Sequence, residues 1–282
     1  MFGSNVLDIA IGLIFTFLTV SLIASTVTEA LSSAMSWRAN TLFEGVKKLL
    51  NDQNFTGLAV DIYNHGLVNG LSSGTTTAGT PPSTKPSYID PKLFASALTD
   101  VVNLNPTQTV AELKASISTV QDQQLKDVLN GIVDRTNGNF GQIRDEIASW
   151  FDQSMERVSG SYKRKTQLWS LIIALAVAIL LNIDTINIAA TLWNQPILLK
   201  GISPSAGSNA EQALAELKKL QLPFGWGNGV FGNFFSGVNW LLVIPGWLIS
   251  AVAALFGAPF WFDTLQKFVQ LRGTGRDQKK QS

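Results

Sequence analysis

The chain has no cysteine and a single histidine, His65, and both scarcities narrow its chemistry. Without cysteine there are no disulfides, no thiolate nucleophile and no thiolate-held metal, and the redox compartment stays open. One histidine excludes a histidine-rich metal centre, and no base–nucleophile arrangement surrounds it; YNHG reads as a helix end. Charge is scarce too. Asp, Glu, Lys and Arg make up 15% of 282 residues, and a formal net charge of +1 provides no global basic field for nucleic acid. There is no GxxxxGK[ST], no GxGxxG after a strand, no HExxH and no GxSxG, and no internal repeat. The expectation is a non-enzymatic protein without a cofactor or metal.

The missing charges are missing in blocks. Between Lys219 and Asp263 lie 43 residues without one charged side chain, and 9–28 and 166–183 are also uncharged. About 18 or more mostly apolar residues can cross the roughly 30 Å hydrocarbon core as a helix. The fold expected is an all-α integral membrane protein with three transmembrane helices. The first occupies residues 1–37, the second 166–193 and the third 239–257. Residues 38–165 form a helical cytoplasmic domain with a flexible loop at 72–87, and 194–238 form an external segment. Residues 258–282 form an amphipathic, interfacial helix and a basic tail. The glycines and aromatics of 222–237 suit an interfacial loop better than a fourth span. The N-terminus has no basic n-region and carries Asp8 ahead of its apolar run, so it reads as a retained span.

Basic residues near span ends set orientation. Arg38, Lys47, Lys48, Arg157, Lys163, Arg164, Lys165, Lys267, Arg272, Arg276, Lys279 and Lys280 fall on one side, and only Lys200, Lys218 and Lys219 on the other. The N-terminus is expected outside and the C-terminus in the cytoplasm.

Within the insert, Thr41 and Glu44 fit a capping box, and Asp90-Pro91 an N-cap followed by a first-turn proline. Ile143, Ile147, Trp150, Phe151 and Met155 recur at helical spacing. No proline separates that run from the second span, so one helix should continue through both.

Several strings together, LDIAIGLIFTFLTVSLIASTVTE, YNHGLVNGL, PSYIDPKLFASALTD, WFDQSMERVSGSYKRKTQ and GAPFWFDTLQKFVQLRGTG, resemble a family of uncharacterised bacterial inner-membrane proteins. Gly66 departs from its pattern, where proline follows the histidine. The resemblance implies a multi-pass location in the bacterial inner membrane and carries no activity across.

Three groups of residues are candidate sites. Ser21, Ser25, Thr28, Glu29, Ser32 and Ser36 fall within about a 100° sector of the first span, and such a stripe should face protein rather than lipid. Glu29 is an intramembrane carboxylate, read as a packing or oligomer anchor in preference to an ion-handling group because no basic partner lies in any span. Asp8 and Asp184 fall at similar depth near the outer ends of two spans. One carboxylate pair lacks the ligand count of a metal site, so solvation is the favoured reading. Trp261, Lys267, Phe268, Arg272 and Arg276 lie on the last helix and are expected to meet the membrane surface.

The function expected is a scaffold or anchor that self-associates and presents its cytoplasmic domain to a protein partner, with lipid as its other contact. The alternative is a subunit of an oligomeric channel or transporter, motivated by Glu29, Asp184 and Pro245-Gly246.

Overall fold

The computed structural model describes residues 2–70, 75–194, 211, 215, 225, 226 and 240–277. It is all-helical, with no strand among the described residues. The helices are α1 (Phe2–Ala34), α2 (Trp37–Leu49), α3 (Leu58–Asn64), α4 (Gly66–Asn69), α5 (Pro91–Val101), α6 (Val110–Ser118), α7 (Gln123–Arg135), α8 (Phe140–Leu180), α9 (Thr185–Asn194), α10 (Trp240–Ala254) and α11 (Ala258–Asp277). The chain divides into two compact units, one formed by Ser32–Arg164 and the other by Met1–Leu31 with Lys165–Ser282. The segments expected at 194–238, with Lys200, Lys218, Lys219 and the glycine-aromatic loop, fall almost entirely outside the described residues, as do Lys279 and Lys280.

The Ser32–Arg164 unit is built from short helices with explicit ends. Asp90 accepts from the amides of Lys92 and Leu93 ahead of Pro91, and Asp122 accepts from Leu125. The capping box lies at Thr109 and Glu112, not at Thr41 and Glu44. Thr41 is inside α2, which already began at Trp37, so its hydroxyl donates to the Trp37 carbonyl at 2.8 Å. Glu44 instead pairs with Lys47 at 2.9 Å. His65 ends α3 and opens α4, so the reading of YNHG as a helix end is realised.

Apolar faces of these helices meet in one core. Phe43, Phe55 and Tyr63 pack edge to face with ring centroids 4.9–5.9 Å apart. Phe94 stacks on Phe151 at 4.0 Å. Ile143, Ile147 and Phe151 are buried at the spacing the sequence indicated, with Trp150 and Met155 packed beside them. Part of the segment expected to be a flexible loop is fastened: Asn64 exchanges two hydrogen bonds of 2.8 Å with the Thr76 backbone, and the Gly79 amide donates to Phe55. Gly79 has φ 76°, a left-handed turn that glycine adopts without strain. Residues 72–74 of that loop lie outside the described residues.

The other unit has longer, more apolar helices. Ile11, Phe15, Leu18, Ala174, Ala178, Ile188, Leu192, Ala251 and Leu265 are buried within it. Thr16, Thr19 and Thr28 fold their hydroxyls back onto the carbonyls four residues earlier, which satisfies them inside an apolar helix. One helix, Val6–Ala34, is long and apolar enough by itself to cross a membrane. Two further stretches pass that test only as bent pairs, α8 with α9 at 49° and Val243–Ala254 with Ala258–Leu271 at 96°. The second span, expected over 166–193, is not one uninterrupted helix. Instead α8 stops at Leu180, and α9 starts at Thr185.

Candidate functional site

The break between α8 and α9 has a local cause. In the run Leu181-Asn-Ile-Asp-Thr185, Asn182 takes the left-handed conformation at φ 47°, which asparagine tolerates better than most residues. Asp184 then caps α9, accepting from the amides of Ile186 at 2.9 Å and Asn187 at 3.3 Å. A carboxylate at this place also complements the partial positive charge of a helix N-terminus. Asp184 is only 6% exposed.

A helix break inside an apolar unit leaves carbonyls and amides to satisfy, and side chains from α10 do much of this. Ser250 Oγ lies 2.8 Å from the Ile183 carbonyl, 3.1 Å from the Gly246 carbonyl and 2.7 Å from Thr185 Oγ1. A serine hydroxyl has one proton. With two carbonyls beside it, Ser250 gives that proton to a carbonyl, so Thr185 is the donor in the hydroxyl pair. Trp247 Nε1 donates to Asn182 Oδ1 at 3.2 Å, Trp226 Nε1 to the Ile179 carbonyl at 3.1 Å, and the Gly225 amide to the Leu181 carbonyl at 2.8 Å. Gly246 explains its own identity. A Cβ there would collide with the Asp184 carboxylate. α10 passes at backbone distance from the break and staples it.

Chemically, the arrangement is one buried carboxylate held by two amides and flanked by hydroxyls. Among the described residues there is no group of three or more His, Asp or Glu side chains placed to hold a metal. Asp8 is half-buried in α1, and neither amide bond to the Asp184 carboxylate involves it.

The proposed polar stripe on α1 is divided by its surroundings. Ser21 is buried and donates to the Ala254 carbonyl at 2.8 Å, which joins α1 to the end of α10. Thr28 is buried and bonded within its own helix. Ser25 and Glu29 are exposed. Ser32 meets the Tyr162 hydroxyl at 3.1 Å. Ser36 lies beyond the helix, left-handed at φ 47°, just ahead of α2. Ser25 and Thr28 help line a pocket of about 400 Å³ with Gln167, Ser170, Ala174 and Gly257.

On α11, Leu265 is buried in the apolar cluster and Trp261, Phe268 and Val269 pack against it, so Trp261 and Phe268, expected at the membrane surface, are turned at least partly into their own unit. Trp261 donates to the Ala253 carbonyl at 2.7 Å and packs on Phe17 at 4.9 Å. Lys267 is exposed; the side chains of Arg272 and Arg276 lie outside the described residues.

The sequence reading did not single out Asn182, Thr185 or Trp247, and Pro245-Gly246 was read there only as an interruption of the third span. The signal was present in Asn-Ile-Asp-Thr, where a left-handed former is followed by a cap residue inside an apolar run. The chain matches no family model, no curated protein and no solved structure.

Proposed function

We propose that the protein is a non-enzymatic membrane scaffold whose apolar unit is embedded in a bilayer and whose Ser32–Arg164 unit is presented to partners. One observation carries this reading. The large apolar side chains left exposed are concentrated in the apolar unit: Leu168, Ile172, Leu180, Leu248, Val252 and Phe256 are each 46–72% exposed. Exposing such a surface to water costs roughly 25 cal/mol per Å² of apolar area, so hydrocarbon is its proper solvent. On this reading α1 is one span, α8 with α9 a second, broken one, and α10 leads into a third turn of chain that α11 completes. The basic residues favour the N-terminus outside and the C-terminus in the cytoplasm. The resemblance to bacterial inner-membrane proteins fits that placement.

Self-association is supported by Glu29, a carboxylate exposed on the surface of an apolar helix five residues before its end. A carboxylate at that depth calls for a protein partner or water, and a second copy of the chain supplies the former. Crosslinking in native membranes tests this: an oligomer of defined mass is expected, and a strictly monomeric chain without a co-purifying protein overturns it. For orientation, cysteines placed at Ser83 and Ser208 are probed with an impermeant reagent on intact cells. Only the second should react.

A second reading, a channel or transporter subunit, draws on the broken α8–α9 pair with Asp184 buried beside it, a feature of substrate sites in transporters. Liposome flux separates the two; ion or solute movement that depends on Asp184 would favour the transporter.

A further inference from the structure

A pocket of about 330 Å³ opens in the Ser32–Arg164 unit between the first turns of α2, the residues just ahead of α5 and the middle of α8. Its floor is apolar, made by Leu42, Ile89, Phe151, Met155 and Val158. Its rim carries Arg38, Asp152 and Glu156. Asp152, Met155, Glu156, Ser159 and Tyr162 are spaced by three, four and seven residues, so α8 turns a single face to the pocket. The three charged side chains are exposed, and none is ion-paired with another among the described residues. A pocket of this size with an apolar floor and a few polar groups has the form of a small-molecule site.

The charges define what fits. One guanidinium takes an anionic oxygen group, and phosphate suits its planar fork. Two carboxylates accept hydrogen bonds and attract a cation, and a primary ammonium offers three donors. A simple anion would meet Arg38 but also both acids; a simple cation would meet the acids but also Arg38. A ligand bearing both signs, with an apolar portion for the floor, satisfies every group. Arg38 lies four residues beyond Ala34, the last residue of α1, and four residues reach at most about 14 Å. If α1 spans a bilayer, the rim therefore stands within reach of lipid headgroups.

We propose that this groove seats a phospholipid whose headgroup carries a phosphate and a primary ammonium. The phosphate meets Arg38, the ammonium meets Asp152 and Glu156, and the first methylenes of one chain lie on Ile89, Phe151 and Met155. This rests on the reading of α1 as a membrane span, which alkaline carbonate extraction scores separately: release of the chain from membranes would sink that reading, whatever lipid the groove retains.

The direct test is native mass spectrometry of the full chain in mild detergent, titrated with phosphatidylethanolamine, phosphatidylglycerol and phosphatidylcholine of matched chain length. Phosphatidylethanolamine should be retained roughly tenfold more tightly than the other two, and Arg38→Gln should weaken it about tenfold, the scale of one charge-assisted hydrogen bond. Neutralising the acids with Asp152→Asn and Glu156→Gln should shift preference to phosphatidylglycerol. Met155→Trp should reduce retention of all three by filling the floor; Ser159→Trp serves if that variant loses helicity. Soluble glycerophosphoethanolamine should compete poorly, since it lacks the chain. Equal retention of the three lipids, Arg38→Gln and the double variant both binding like wild type with unchanged melting, full competition by the soluble headgroup, or a peptide held in place of lipid would each overturn the proposal.

Discussion

The two units solve the same problem, how to end a helix, by different means. In Ser32–Arg164, Asp90, Thr109 and Asp122 cap their helices at or near the surface, where water can take up what the caps leave unsatisfied. In the apolar unit the break at 181–184 is closed by groups from elsewhere in the chain, Ser250, Trp247 and Trp226 among them. The first unit gathers most of its large apolar side chains into a core, with a few such as Leu67 and Leu93 left exposed, and the second displays many more of them. The backbone requirements are the same, but a buried helix end that water cannot reach must borrow its partners over long sequence distances.

Breaking the core of the Ser32–Arg164 unit should have the largest effect. Phe151 is 1% exposed and stacked on Phe94, so Phe151→Ala should cost about 3–5 kcal/mol. Trp150 is only partly buried against the same core, and Trp150→Ala should cost less. Chemical denaturation followed by circular dichroism ranks the pair; a larger loss at Trp150 would reverse the packing described. In the apolar unit, Gly246→Val drives a side chain into Asp184, with an expected overpacking cost of about 1–3 kcal/mol. A thermal shift in detergent reads this, and a wild-type melting temperature would show that α10 has room to move off the break.

Glu29 sharpens the contrast at the level of assembly. Glu29→Gln should preserve an oligomer, and Glu29→Leu should weaken it by about 1–2 kcal/mol per interface, measured as oligomer mass against detergent concentration. Loss of flux in Glu29→Gln with an unchanged oligomer would instead favour ion handling.

The smallest effect belongs to Tyr63, whose hydroxyl is buried without a hydrogen-bond partner among the described residues. Tyr63→Phe should be neutral or slightly stabilising near pH 7, since it removes an unsatisfied polar group. Burial, helped by the nearby Glu44 charge, pushes the phenol above its ordinary value. A phenol raised on folding contributes stability that is complete below the unfolded value of about 10 and is lost as pH rises beyond it. Melting curves above about pH 10 should therefore fall more steeply for wild type than for Tyr63→Phe; parallel curves would show the ring reaches water.

Helix existence was legible wherever periodicity or a cap was local. Ile143, Ile147 and Phe151 announced the buried face of α8, Asp90-Pro91 the start of α5, and Gly257 the turn before α11, where it takes φ 85°. The Thr41–Glu44 box failed because a capping pair is a boundary signal only where the preceding residues cannot be helical, and Trp37 to Asn40 can. The break at 181–184 escaped because hydropathy averages over a window in which Asn182 and Asp184 are outnumbered by apolar neighbours. Its partners, Gly246 and Ser250, are more than sixty residues away, so no local pattern joins them. The groove at Arg38, Asp152 and Glu156 is assembled from three segments and leaves no trace in any one of them.

The staple across the α8–α9 break also constrains the order in which the chain can mature. A ribosome that has synthesised residues as far as Asn194 has made the break but not Trp226, Trp247 or Ser250. Until α10 emerges, the Ile183 carbonyl lacks its hydroxyl and Asn182 its indole. The second apolar segment is therefore an unfinished element until its donors are made downstream, and a chain truncated before 240 should leave the break without them.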